Sequence, residues 1–384
     1  MEKVYLDHAA TTPIFPKVIK EMNNIYNNKY ANTASPHLQG QNSAAVLETS
    51  REKIADFVGA KKAEERFFTS GGTESDNLAL KGSAMALADK GKHIITSSIE
   101  HHAVLESCEF LRKHLNFDIS YLDVDDKGFI SIEELKDNIR EDTVLISLIY
   151  ANNEIGTIQN IKKLAEAAEK RNILFHTDAV QAAAYLDLDV NELGVDLLSI
   201  SAHKFNGPKG VGALFVRKGT KLIPQMSGGN QERKRRAGTV NLPAVAGMAK
   251  AAEITSVKLK EKNKRLKELR NYFVEKLKAN FNKIKINGPD QENILPSNLN
   301  ISFRGLDSET LLYNLSLNNI SASAGSACAS GSLSLSHVLK AIDLKKNYAE
   351  GTIRFSISDY NTKEEIDYVI KKLKEITDRL KSLK

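Results

Sequence analysis

Between residues 66 and 216 the sequence alternates short apolar, β-branched runs with longer amphipathic ones, and this alternation restricts the fold more than any other feature. Residues 67–69, 93–96, 119–122, 144–150, 173–176, 197–200 and 213–216 read as strands. Between them, 74–89, 103–114, 132–139 and 161–171 place apolar residues three and four apart, the period of a helix with one buried face. Strands that are apolar throughout need cover on both sides. The pattern therefore predicts an α/β core, a mostly parallel sheet flanked by helices.

After Pro243 the pattern changes. Residues 244–281 read as one long or two joined helices, followed by strands at 299–303 and 351–356 and a closing amphipathic helix at 363–380. A chain of 384 residues exceeds one typical core. We expect a large domain over 16–258 and a smaller α+β domain made of 1–15 and 259–384. The smaller part contains a stretch, 321–332, built only of Ser, Ala, Gly and Cys. Such side chains bury little area, so 321–335 is expected to be a loop that can move.

Composition excludes several classes. No apolar run approaches the roughly 20 residues of a membrane helix, and the first six residues lack the apolar stretch of a secretory signal, so we expect a cytoplasmic protein. The two cysteines, Cys108 and Cys328, are too few for a disulfide framework or a cysteine metal site. The net charge of +6 is spread along the chain without a nucleic-acid motif, which reads as solvated helix faces.

Ser201-Ala202-His203-Lys204 follows an apolar strand and precedes glycine-rich turns. A lysine at a sheet rim can lose solvent and offer its amine for a Schiff base; a surface lysine in a turn is the plainer alternative. His176-Thr177-Asp178-Ala179-Val180-Gln181 closes another strand with an acid, either a partner for a pyridine nitrogen or a helix N-cap. Thr69-Ser70-Gly71-Gly72-Thr73-Glu74-Ser75 offers amides at a strand-to-helix turn, which suits a phosphate but also any such turn. Glu100-His101-His102 could present an imidazole to the same rim or to solvent.

Together with Tyr5-Leu6-Asp7-His8-Ala9-Ala10-Thr11-Thr12-Pro13, Ala151-Asn152-Asn153-Glu154-Ile155-Gly156, Arg236-Ala237-Gly238-Thr239 and Gly325-Ser326-Ala327-Cys328, these motifs follow in order over nearly the whole chain. The sequence resembles the NifS/IscS-type cysteine desulfurases. The resemblance implies a fold-type I enzyme using pyridoxal 5'-phosphate (PLP), a homodimer, with L-cysteine as substrate. It implies that Lys204 links to the cofactor, Asp178 pairs with its ring nitrogen, and His101 stacks on the ring and assists proton transfer. Gln181 and Asn153 would address the ring hydroxyl and substrate, while Gly72, Thr73, Ser201 and His203 would hold the phosphate. Thr239 would reach the phosphate of the neighbouring subunit. Arg354 would bind the substrate carboxylate with help from Asn32, although relatives commonly read Gly-Asn-Pro-Ser-Ser where this chain has Ala31-Asn32-Thr33-Ala34-Ser35.

By the same resemblance, Cys328 would accept sulfur as a persulfide while the substrate leaves as L-alanine, because a thiolate is the competent nucleophile. Cys108 lies in an amphipathic run and fits a packing role. The sulfur would pass to an acceptor protein: an iron–sulfur scaffold, a tRNA-thiolation enzyme or a thiamin-pathway carrier. No metal, membrane or direct nucleic-acid contact is expected. Another class-V PLP aminotransferase or lyase would not need Cys328, and a PLP-binding sulfur-delivery scaffold would not turn over. The basic stretch 233–236 has no assigned partner.

Overall fold

A computed structural model describes residues 3–61, 65–324 and 335–382. Twelve strands are assigned there: β1 (Val4–Tyr5), β2 (Arg66–Thr69), β3 (His93–Ser97), β4 (Asp118–Leu122), β5 (Thr143–Ser147), β6 (Leu174–Asp178), β7 (Leu197–Ser201), β8 (Gly212–Val216), β9 (Ile284–Asn287), β10 (Asn298–Phe303), β11 (Ile320–Ser321) and β12 (Thr352–Ser356). The main sheet has the order β2-β8-β7-β6-β5-β3-β4. From β7 to β4 every neighbouring pair is parallel, joined through helix-bearing crossovers. β8 is antiparallel to both neighbours. Only a short turn around Lys204 separates it from β7, too little chain for a parallel crossover.

Burial follows position. Every residue of β2, β3, β5, β7 and β8 is buried, whereas the edge strand β4 buries only Leu122. Because β8 runs against the others, β2 points the same way as β7. The carboxyl ends of β2, β3, β5, β6 and β7 therefore open on one rim of the sheet, where α/β folds bind ligands.

The predicted helix over 244–281 is one continuous helix, Leu242–Asn280, started by Asn241, whose side chain accepts from Ala244 N. Its first turns pack Leu242, Val245 and Met248 into the core, and its last turns pack Leu266, Phe273 and Leu277. Between them, residues 256–265 include no fully buried side chain. The expected boundary near 258 falls in that run. Beyond it lies a second, antiparallel sheet of order β12-β10-β9.

The amino-terminal segment ties the two sheets together. β1 pairs in parallel with β11, after which Leu6 O accepts from Ser356 N at 2.7 Å and Ala9 N donates to Ser356 Oγ at 2.8 Å. Further on, Thr12 N and Thr12 Oγ1 both donate to His203 O. Among the described residues no helix is long and apolar enough to cross a membrane.

Phe355 is fully buried against Phe273, with ring centroids 5.3 Å apart. Phe355→Ala should lower the unfolding free energy by about 3–5 kcal/mol in urea denaturation. Tyr313→Ala, at a side chain 67% exposed, should change it by less than about 0.5 kcal/mol.

Candidate active site

A cavity of about 260 Å³ opens at the rim where these strands end. Ten residues singled out from the sequence line it: Gly72, Thr73, His101, Asn153, Asp178, Gln181, Ser201, His203, Lys204 and Arg354. Asn32 does not. It is exposed, and its Oδ1 accepts from Ala34 N at 2.9 Å in a local turn. Thr239 lies in a separate cleft with Ser70, Arg236 and Asn241. Cys328 lies outside the described residues.

The strand ends deliver an acid and an amine side by side. Asp178 is the last residue of β6 and is 4% exposed; its Oδ1 accepts from Val180 N at 2.8 Å. Burial raises its pKa, while the nearby His101 and Lys204 act in the opposite direction. Lys204 sits one short turn beyond β7, and its Nζ donates to Ala9 O at 2.7 Å and Ala10 O at 2.9 Å. Ala9 O also accepts from Gln181 Nε2 at 2.8 Å, so the amino-terminal segment forms one wall.

His101 caps the helix His102–Leu115, its Nδ1 accepting from Ala103 N at 3.1 Å. That bond leaves the proton on Nε2. Burial lowers the His101 pKa, with Asp178 opposing and Lys204 reinforcing the change. His203 is held down to about 4, first by burial and then by Lys204 and Lys209. Both imidazoles are therefore neutral at neutral pH.

An anion cradle stands across the cavity. The helix Gly72–Leu87 begins without a side-chain cap, so its leading amides stay available. Gly71 has φ +155°, a conformation that favours glycine, and a Cβ on Gly72 would meet Val180 Cγ2 at 2.7 Å. The turn is braced from outside: Glu74 accepts from Ser70 N at 2.7 Å and from Arg236 Nε at 2.9 Å.

Arg354, on β12, is 1% exposed; Nη2 donates to Asp7 Oδ1 at 2.9 Å and Nη1 to Asn153 O at 3.0 Å. A fixed guanidinium suits a carboxylate ligand.

A half-buried amine, a buried acid, uncapped helix amides and a neutral imidazole lining one cavity fit PLP, with its aldehyde, ring nitrogen and phosphate. Sequence reasoning gave no role to the cavity-lining acids Asp76, Glu100 and Glu154, or to His337. Glu100 and Glu154 stand inside quoted motifs and Asp76 directly follows one, where the only available signal was an acid a few residues past an apolar run. Cys108 is buried among Val104 and Leu111, and burial pushes its thiol far up, consistent with packing.

The aminotransferase class-V profile matches residues 4–369. A cysteine desulfurase IscS of Dictyoglomus turgidum is 49% identical over 99% of this chain and 96% of its own length. One of Clostridium botulinum is 45% identical over 98% of this chain and 94% of its own length. The chain belongs to the cysteine desulfurases of the class-V aminotransferase family. A solved NifS-like protein superposes with TM-score 0.92 at 39% identity, covering 98% of this chain and 99% of its own. Members of this family are PLP-dependent enzymes, and this cysteine desulfurase is one.

Glu100 generates a pH prediction. Its Oε1 accepts from Ser97 Oγ at 2.5 Å and Ile149 N at 2.9 Å, and complete burial raises its pKa from 4.5 to about 8. The folded state holds this proton more tightly than the unfolded chain. The contribution is fully present below 4.5 and is lost as pH rises through about 8. In urea denaturation between about pH 5 and about pH 8, Glu100→Gln should lose less stability than the parent. Equal slopes would place the proton elsewhere.

Proposed function

We propose that this chain takes sulfur from L-cysteine through the cavity residues and stores it as a persulfide on Cys328. The observation that carries this reading is the meeting of Lys204, Asp178, His101 and Arg354 in one cavity at the carboxyl ends of the sheet. PLP, when bound, supplies an electron sink that acidifies the substrate Cα–H. Lys204 holds the cofactor and, once released, accepts and returns the proton at Cα. Asp178 keeps a negative charge at the ring nitrogen. His101 covers the ring and moves a proton through Nε2. Gly72, Thr73, Ser201 and His203 hold the phosphate, and Gln181 and Asn153 address the ring hydroxyl and the substrate.

Arg354 pairs with the substrate carboxylate, and Asp7 fixes the guanidinium for it. The Cys328 thiolate attacks the substrate sulfur, the Cβ–S bond breaks, and its electron pair stays on carbon, where a proton completes L-alanine. Cysteine and one enzyme thiol thus become alanine and one enzyme persulfide.

We assign Thr239 to the phosphate of a second subunit in a homodimer, with Asn32 assisting at the substrate side. The division into 16–258 and 1–15 with 259–384 belongs to the same reading. The persulfide passes in the cytoplasm to an acceptor protein of iron–sulfur assembly or of tRNA or cofactor thiolation.

Lys204→Ala should lose the borohydride-reducible visible absorbance of the bound cofactor, and retention of that absorbance would sink the role. Cys328→Ser should still bind PLP and cysteine yet accumulate no label from radiosulfur-labelled cysteine on non-reducing gels, whereas Cys108→Ser should label like the parent. Label on Cys328→Ser with undiminished alanine release would move the acceptor elsewhere.

A further inference from the structure

The cavity holds a carboxyl group that the reaction above leaves unused. Asp76 lies on the buried face of the helix Gly72–Leu87, is 1% exposed, and its Oδ1 has no hydrogen-bond partner. Ser199, on β7, favours the charged form of Asp76, against burial and the Asp178 charge. An oxygen of Asp76, an oxygen of Asp178 and a nitrogen of His101 lie within 4.8 Å of one another.

The other groups facing Asp76 supply no fixed positive charge. His176 Nε2, from β6, is 3.7 Å from Asp76 Oδ1. That ring is held between Ser147 Oγ at 2.8 Å and Ser199 Oγ at 3.0 Å, and complete burial drops its pKa to about 3, so it is neutral. Glu100, in the turn after β3, adds a third carboxyl whose repulsion Asp76 also feels. Two carboxylates this close and this dry cannot both ionise. The proton has one favoured owner. Asp178 has the Val180 amide and Lys204 to stabilise its charge, whereas Asp76 has Ser199.

We propose that Asp76 is a positioning residue: as a neutral acid it turns its O–H onto the Asp178 carboxylate, so the pair presents one negative charge to the cofactor nitrogen. The proposal rests on the role given to Asp178. The donated bond fixes one Asp178 oxygen and leaves its charge facing the ring; an oxygen of each acid already lies within 4.8 Å of the other. A doubly ionised pair would repel itself in so buried a place.

Asp76→Asn keeps the shape and an N–H donor; Asp76→Ala removes the donor. Infrared spectra of the full chain at pH 7, with and without PLP, should show two protonated-carboxyl stretches in the parent, one of them from Glu100, of which Asp76→Asn loses one and Glu100→Gln the other. The PLP dissociation constant and the pH profile of bound-cofactor absorbance should stay close to the parent in Asp76→Asn. In Asp76→Ala, affinity should fall by roughly ten- to a hundredfold, the range for a hydrogen bond to a charged group, with a shifted absorbance profile. Loss of only ionised-carboxylate bands in Asp76→Asn overturns the proposal. So does an Asp76→Ala protein with parental affinity and profile, or equal losses in both variants at unchanged melting temperature. Asp178→Ala separates the two readings: parental PLP binding there would remove the role of Asp178 itself, whatever band Asp76 contributes.

Discussion

Charge has to be kept dry at the end of a central strand, and the site depends on that constraint. Asp178 stands where β6 leaves the sheet, with apolar strands on both sides and only 4% of its surface exposed. An isolated carboxylate there would take up a proton. The Val180 amide and Lys204 favour the charged form, and both stand just beyond strand ends rather than on long loops. The parallel arrangement is what makes this possible, since it brings five carboxyl ends to one rim.

The second requirement is that the arginine for the substrate face the same cavity, although it belongs to a different sheet. Residues 6–13 solve this by running from β12 to the turn that holds Lys204, bonding to Ser356 at one end and His203 at the other. Asp7 in that segment fixes Arg354, and the carbonyls of Ala9 and Ala10 hold the lysine. Arg354 and Lys204 are thus set by the same few residues of chain.

Where a local pattern determined the structure, the sequence was legible. The seven strands of the main sheet stand within a few residues of their apolar runs, and Asp178, Lys204 and Gly72 stood out as candidates because each follows such a run, although only the resemblance gave them roles. The antiparallel direction of β8 was not legible, since it depends on the length of the turn before it. The short helices at Pro16–Asn28 and Ser308–Leu317 and the strand β9 were not picked out; β9 is a short, partly exposed strand, and the burial of the helices is set by distant neighbours. Arg354 came only through resemblance, because nothing local links a residue of β12 to a rim nearly two hundred residues earlier. Asp76 escaped for a related reason: on its helix it reads as one polar residue in an apolar face, and only the folded sheet places it beside a second acid.

The path of residues 6–13 also orders events during synthesis. The hydrogen bonds that link Leu6 O and Ala9 N to Ser356 span 350 and 347 positions of sequence, so the amino-terminal segment waits for β12. Long-range closures of this kind come late in folding. The lysine wall is therefore finished only when the carboxyl-terminal sheet has formed, although the main sheet is translated well before it. On the ribosome the cofactor's cradle would precede its lock, and the enzyme would become fully competent only after β12 has emerged.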